Sequence, residues 1–302
     1  MKLLVTGDWH IRGKKPKNRT DDFIHTQESK INFILETAAN YSCRYILQPG
    51  DFFDSYQISD FLKQHYIHKF KQPGVPTILS ILGQHDMRYH SSDKNNTPLK
   101  VMDSAQVVVL LGSDPFHDLG NFHIYGASWN EEIPKIEDKN KYNILALHKM
   151  IVNDKLWAKQ EGHTYGYPML KNHAFDLIVS GDNHTSFKFE YGGKYLLNCG
   201  SLMRTNIDQG NHKPVIYIID TEDPTDDLIE IEIPIAQFEE VFDLTKAEEE
   251  QEKNEELEAF IAGLKDEDVE LQGLNFRKNV TKYMEANSTS QGIKDIIDEV
   301  LA

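Results

Sequence analysis

Cysteine is almost missing: Cys43 and Cys199 are the only two in 302 residues. Two thiols cannot build the disulfide framework of a small secreted scaffold, and they suit a reducing, cytoplasmic compartment. No apolar run approaches the ~20 residues that cross a bilayer as a helix, so no membrane partner is expected. One lysine and a few apolar or small residues precede Gly7, too short a stretch for a secretory signal. No internal repeat is present. Basic residues are outnumbered, 32 Lys+Arg against 48 Asp+Glu, for a formal net charge of -16. An excess of that sign argues against a nucleic-acid partner when it is spread over the molecule. Here it is localised. Residues 237–302 hold 18 acidic and 7 basic side chains, a net of -11, which leaves -5 for the first 236. Several of those remaining acids are candidate metal ligands, and bound dications would offset them.

What is present is a regular alternation of short apolar runs and helical stripes. Residues 3–6 read as a strand, and residues 26–40 carry Ile31, Ile34, Leu35, Ala38 and Ala39 at helical spacing. Residues 45–48 form the next strand, 59–71 a helix with Leu62, Tyr66 and Phe70 on one face, and 77–82 a third strand. This βαβα order predicts a layered α/β domain. Further strands are expected at 107–111, 122–125, 143–147 and 175–179, and an antiparallel group at 195–199, 215–220 and 228–233. The expected organisation is a catalytic domain over 1–236 and an acidic, mainly helical segment over 237–302. In that segment Thr245 and Glu248 have the spacing of a capping box, ahead of Leu257, Phe260, Ile261 and Leu264. Behind Ser290, Ile293, Ile296, Ile297, Val300 and Leu301 form a stripe that packs on its own domain or docks on a partner.

Five strands end in polar clusters of one chemical type: Gly7-Asp8-Trp9-His10, Gly50-Asp51-Phe52-Phe53-Asp54, Gly83-Gln84-His85-Asp86, His148, and Gly181-Asp182-Asn183-His184. Asp8 and His10, two apart on an extended chain, are expected to project from one face. A single such pair is an ordinary turn. Five in order, each after an apolar strand, place oxygen and imidazole donors along the carboxyl ends of one sheet system, where open α/β sheets hold ligands. Such a donor set suits manganese, iron, zinc or magnesium, and it lacks the thiolates that favour zinc strongly. After His10 comes a basic loop with Arg12, Lys14, Lys15, Lys17 and Arg19. It is either a solvated loop or a contact for a phosphate backbone.

In that motif order the sequence resembles the calcineurin-like metallophosphoesterases over roughly residues 1–235. Within them it is most similar to the SbcD group, the nuclease subunits of bacterial and phage DNA-repair complexes. Gly7-Asp8-Trp9-His10, Gly50-Asp51-Phe52-Phe53-Asp54-Ser55, Gly200-Ser201-Leu202-Met203-Arg204 and residues 213–220 carry that closer likeness. The resemblance implies a four-layer αββα sandwich with two mixed sheets and two divalent ions, most readily Mn2+. It implies Asp8, His10 and His184 on the first ion, Asp51 bridging, and Gln84, His148 and Asp182 on the second. His85 matches the histidine that contacts the scissile phosphate, with Asp86 orienting it, and Arg204 joins the basic loop as a DNA contact.

Two positions depart from the family pattern, Gln84 for Asn and Asp182 for His, and both fall on the second ion. The extra carboxylate favours hard, oxygen-preferring ions. The reading implied is a DNA exo- or endonuclease subunit that acts with a coiled-coil SbcC-type ATPase, alone or as a homodimer. The rival readings are a phosphatase or cyclic-nucleotide phosphodiesterase on the same scaffold, and a binding protein with a degraded second site.

Overall fold

The computed structural model describes residues 2–91, 93–112, 114–152, 163–220, 228–243, 280, 284 and 289–301. Residues 1–241 form one compact unit and 242–302 a second. The first begins β1 (Lys2–Val5), α1 (Phe23–Asn40), β2 (Cys43–Gln48), α2 (Asp60–Phe70), β3 (Thr77–Ser80), α3 (Pro98–Ser104) and β4 (Val108–Leu110). It continues with β5 (His117–Asp118), β6 (Phe122–Ala127), β7 (Tyr142–His148), β8 (Ile151–Val152), β9 (Thr164–Tyr165), α4 (Gly166–Asn172) and β10 (Leu177–Gly181). It closes with β11 (Phe187–Tyr191), β12 (Lys194–Asn198), β13 (Val215–Asp220), β14 (Ile229–Glu232) and the single turn α5 (Phe238–Val241).

Two six-stranded sheets result, ordered β14-β13-β1-β2-β3-β4 and β11-β12-β10-β7-β6-β5. Both are mixed. In the first, β1 to β4 are parallel and β13 and β14 join antiparallel at one edge. In the second, β6, β7, β10 and β12 are parallel, with β5 and β11 antiparallel at the edges. The expected antiparallel trio is therefore split. β12 runs parallel to β10, because the β11 hairpin returns the chain before it, while β13 and β14 cross to the other sheet.

The central strands are apolar without alternation, as strands covered on both faces must be. Leu3, Val5, Leu47 and Leu79 meet Ile144, Ala146, Leu177, Val179 and Leu197 between the sheets. On the other face of the first sheet, Leu4, Ile46 and Ile78 pack with Ile31, Ile34 and Ala38 of α1, Tyr66 and Phe70 of α2, and Leu99 and Met102 of α3. The outer face of the second sheet puts Leu145, Leu147, Ile178 and Leu196 against Met169 and Leu170 of α4. Helices, sheet, sheet and helix give the expected four layers. Each such side chain contributes about 1.5–3 kcal/mol when removed from water, so the sandwich is a rigid platform for its loops.

Caps fix the helix starts. Asp22 accepts from the backbone of His25 at the start of α1, and Ser59 from that of Leu62 at the start of α2. In the second unit the final helix, α6 (Gln291–Leu301), begins just after Ser290, with Ile293 buried by the chain itself and Ile296 and Ile297 half-buried. The capping box at Thr245 and the stripe from Leu257 to Leu264 lie outside the described residues.

Candidate metal centre

All five clusters arrive at the carboxyl ends of parallel strands β1, β2, β3, β7 and β10, on facing edges of the two sheets. Asp8, His10 and His184 offer ligand atoms that all lie within 4.8 Å of one another, as do Asp8, Asp51 and His148, and His10, Asp51 and His85. Asp51 is the hub. Its Oδ2 lies 3.4 Å from His148 Nε2, 3.7 Å from His10 Nε2 and 4.0 Å from His85 Nε2. His10 Nε2 and His184 Nε2 are 3.1 Å apart.

The Asp8–His10 pair meets by a route the spacing does not indicate. β1 ends at Val5, and His10 takes a left-handed backbone, φ 45°, so strand alternation does not bring the two together. Asp51 (φ 49°) and Asp182 (φ 82°) share that conformation. Non-glycine residues there carry about 1–3 kcal/mol of strain each. Hydrogen bonds hold them: the Asp51 carbonyl accepts from the backbone N–H groups of Trp9 and His10, and Asp182 N–H donates to Asp8 Oδ2 at 2.9 Å. The motif glycines clear space for each other's ligands. A Cβ on Gly83 would overlap Asp51 Oδ1, and one on Gly181 would overlap Asp8 Oδ1.

Five buried atoms of the residues in this cluster have no hydrogen-bond partner: Asp8 Oδ1, His10 Nδ1, Asp51 Oδ2, Gln84 Oε1 and His148 Nε2. An orphaned buried polar atom costs about 1–3 kcal/mol, so five of them, four on residues whose ligand atoms cluster within 4.8 Å, are the mark of a cation site. The second ring nitrogens support it. His148 Nδ1 donates to the Pro49 carbonyl at 2.7 Å, which turns Nε2 inward. The residues present fit divalent cations.

The electrostatics carry the same imprint. Burial drives Asp8 well up from the usual carboxylate range, and the charges of Asp51 and Asp182 add to it against the pull of His148. Burial also opposes the charge on Asp51, but His148, His10 and His85 outweigh it and hold that carboxyl low. Burial lowers His10 to about 3. It would lower His148 too, yet Asp51, Asp8 and Asp182 push that imidazole up to about 10. Acids compete here for too little positive charge, which dications supply.

His85 lies beside Asp51 and is the open member, with 44% of its side chain exposed. Its Nδ1–H donates to the Asp54 carbonyl at 3.0 Å. Asp86 does not orient it. That carboxylate is fully buried and accepts from the backbone N–H groups of Phe52, Phe53 and Gly83. It clamps the Asp51 loop to the His85 loop; burial, with the charge of Asp51, pushes its pKa up to about 7. Gln84 and Asp182 also meet: Gln84 Nε2 donates to Asp182 Oδ1 at 2.8 Å.

The basic residues divide. Lys14, Lys15 and Lys17 are exposed on the loop after His10. Arg12 pairs with Asp54 Oδ1. Arg19 and Arg204, expected to touch DNA, are each 4% exposed. Arg19 binds Asp21 and the Arg204 carbonyl, and Arg204 binds the carbonyls of Gly210 and Ala236. Both are structural, because a guanidinium can satisfy several loop carbonyls at once. Beside them Lys30 of α1 donates to the Leu202 carbonyl at 2.7 Å. The loop they hold includes Gln209, which sequence reading misses. Its Oε1 accepts from Thr205 and Asn206, and its Nε2 lies 3.0 Å from His184 Nδ1, fixing that ring.

Burial, with Arg204 and Arg19 nearby, lowers Lys30 from 10.5 to about 7. Between those values the unfolded chain holds a proton that the folded one releases, so this group's contribution to stability rises with pH across the window. Its full penalty falls below about 7. Melting curves should therefore show Lys30→Met gaining on the parent protein at pH 6 and losing that advantage by pH 10. A difference constant with pH would mean that Lys30 titrates normally.

With this geometry in hand, comparison with known proteins gives one decisive match. A family profile described as calcineurin-like phosphoesterase aligns with residues 1–186. The chain belongs to the calcineurin-like phosphoesterase family. No curated protein matches this phosphoesterase. Among solved structures it is similar to an archaeal phosphodiesterase, at 15% identity over 77% of this chain and 99% of that one, TM-score 0.41. It is also similar to the protein TT1561 of Thermus thermophilus, at 10% identity over 77% and 99%, TM-score 0.48. A third is GAP50, the anchor in the inner membrane complex of Plasmodium, at 13% identity over 79% and 90%, TM-score 0.44. As a calcineurin-like phosphoesterase the chain is a metal-dependent hydrolase of phosphate esters, and among its described residues no helix is long and apolar enough to cross a membrane.

Proposed function

We propose that this phosphoesterase is a phosphodiesterase acting on DNA, the nuclease subunit of an SbcD-type complex, with Mn2+ as its preferred ion. The observation that carries the reading is the position of Lys14, Lys15 and Lys17, exposed on the loop that leaves Asp8 and His10. Three exposed cations beside a phosphoester-cleaving centre suit a polyanionic chain better than a small ester. Asp8, His10 and His184 would hold one ion, Gln84, His148 and Asp182 the other, with Asp51 between them. Ions bound there supply Lewis acidity, lowering the pKa of the attacking water and neutralising the phosphoryl oxygens. The chain's own residues do the rest. Water adds to phosphorus, the bond to the leaving oxygen breaks, and His85 delivers a proton to that oxygen. The same reading brings a coiled-coil ATPase partner; Ile293 is already covered and is not free to dock it.

Cleavage of duplex and single-stranded DNA should be compared with hydrolysis of bis-nitrophenyl phosphate, with Mn2+ present. DNA cut more efficiently per molar substrate supports the reading. Turnover of the small ester alone points to the phosphatase or cyclic-nucleotide alternative.

The Gln84–Asp182 bond underlies the metal preference. Each departs from the family pattern, and in this chain they compensate: Asp182 Oδ1 accepts the hydrogen bond donated by the Gln84 amide N–H, which leaves Gln84 Oε1 buried and without a hydrogen-bond partner. Asp182→His alone removes a charge and strands that amide, and should weaken Mn2+ binding about 10–100-fold. Adding Gln84→Asn should recover most of the loss while shifting preference toward Zn2+. Calorimetric titration of the two single variants and the double one reads the coupling. Additive losses would show the pair to be independent.

A further inference from the structure

Directly after the Gln84-His85-Asp86 cluster the chain does something unfavourable. Tyr89 and His90 are consecutive residues in the left-handed region, φ 51° and 54°. A bulky side chain is an outlier there. The strain does not serve packing: Tyr89 is 73% exposed. It turns the ring outward, where it meets Tyr56 at a centroid separation of 5.4 Å. The Arg88 guanidinium lies 5.4 Å from the Tyr89 ring centre and is itself exposed. His90 in turn packs at 5.1 Å on Trp129, whose backbone is tied to the Leu82 carbonyl at the end of the strand run. Trp129 lines a cavity of about 680 Å³ whose wall includes His148 and Asp182.

These rings sit on the loops that carry the chemistry. Tyr56 is two residues beyond Asp54, whose carbonyl orients His85. At ~3.8 Å per Cα step, the Cα atoms of Tyr56 and Asp54 are no more than about 8 Å apart, so the ring is carried on the same short loop as the group that orients His85. We propose that Tyr56 and Tyr89, with Arg88, form a nucleobase-stacking subsite that seats an unpaired base next to the phosphate being cut. The inference rests on the nuclease reading above and adds to it a binding subsite. Tyr89 is exposed and Tyr56 half-buried beside it, so the pair offers ring surface on which any base can stack, and the Arg88 guanidinium over the Tyr89 ring answers the adjoining phosphate. A base inside a duplex has both faces occupied and cannot use it. A protein partner would want a broader apolar surface than two rings flanked by an arginine and a histidine.

The test uses the full chain with Mn2+ and single-stranded oligonucleotides carrying one abasic residue, its position moved along the strand. In the parent protein one position should raise KM roughly tenfold with little change in kcat, as loss of one stacked base predicts. Tyr89→Ala should raise KM similarly on the intact strand and be insensitive to the abasic residue at that position. Tyr89→Phe keeps a ring and should restore the sensitivity. Binding without cleavage is read separately, in chelator, from quenching of 2-aminopurine at the same position, which Tyr89→Ala should abolish. An abasic penalty that is unchanged in Tyr89→Ala overturns the subsite while leaving the nuclease reading standing. If the parent protein hydrolyses bis-nitrophenyl phosphate but neither cuts nor binds the oligonucleotides, the nuclease reading fails and the subsite with it.

Discussion

Asp51→Asn should lower phosphodiester cleavage by about 10³-fold or more, the loss of several kcal/mol of charge stabilisation in the transition state. Asp51 belongs to two of the three ligand clusters, and a single one of its oxygens lies within 4.0 Å of three imidazole nitrogens. Oδ2 looks toward His148, His10 and His85, while Oδ1 accepts the His85 backbone N–H at 2.9 Å. Asparagine matches the shape, so the loop clamped by Asp86 should keep its fold. What it removes is the one negative charge that the imidazoles hold ionised despite full burial. Two dications brought side by side need such a charge between them. The variant should therefore also lose most of the rise in melting temperature that Mn2+ gives the parent protein, since ligand stabilisation follows affinity. Activity within tenfold of the parent, with two ions still bound per chain, would remove Asp51 from the bridging position.

Why much of this was legible from sequence is clear from the strands. Leu3-Leu4-Val5 or Asn143-Ile144-Leu145-Ala146-Leu147 can only be buried on both faces, and a polar cluster immediately after such a run must emerge at a sheet edge. Five such clusters then had to converge. What the pattern could not carry was anything decided by a distant partner. Arg19 reads as part of a basic loop, but the Arg204 carbonyl, 185 positions away, is what receives it. Asp86 reads as a companion to His85 by adjacency, whereas three backbone N–H groups from two loops claim its carboxylate. The split of the last strands was equally hidden, because an apolar run does not say which of two sheets it enters. Backbone strain at His10, Asp51 and Asp182 leaves no compositional signal at all. It exists because the sandwich and the hydrogen bonds around it over-determine those φ angles, as happens where geometry serves chemistry.

His85→Ala should reveal its role by which substrates suffer. The ring is locked from behind by its Nδ1–H bond to the Asp54 carbonyl and meets His10 edge-on at 5.0 Å. Nε2 is left facing the centre, 4.0 Å from Asp51 Oδ2, on a side chain open to the cleft. A nitrogen held in that way can protonate a departing oxygen, a contribution of about 10²–10⁴-fold when the leaving group is a poor one. The sugar oxygen of DNA is poor, and a nitrophenolate is good. Cleavage of DNA should thus fall by about 10²–10³-fold in His85→Ala, and that of bis-nitrophenyl phosphate far less. A series of aryl diesters should show a steeper dependence of rate on leaving-group pKa than in the parent protein. Because His85 also shares a cluster with His10 and Asp51, ligation is the competing role, and metal titration separates the two. Affinity for both ions should stay near that of the parent. An equal loss on every ester, together with a missing ion, would make His85 a ligand and leave the leaving oxygen to be protonated by solvent.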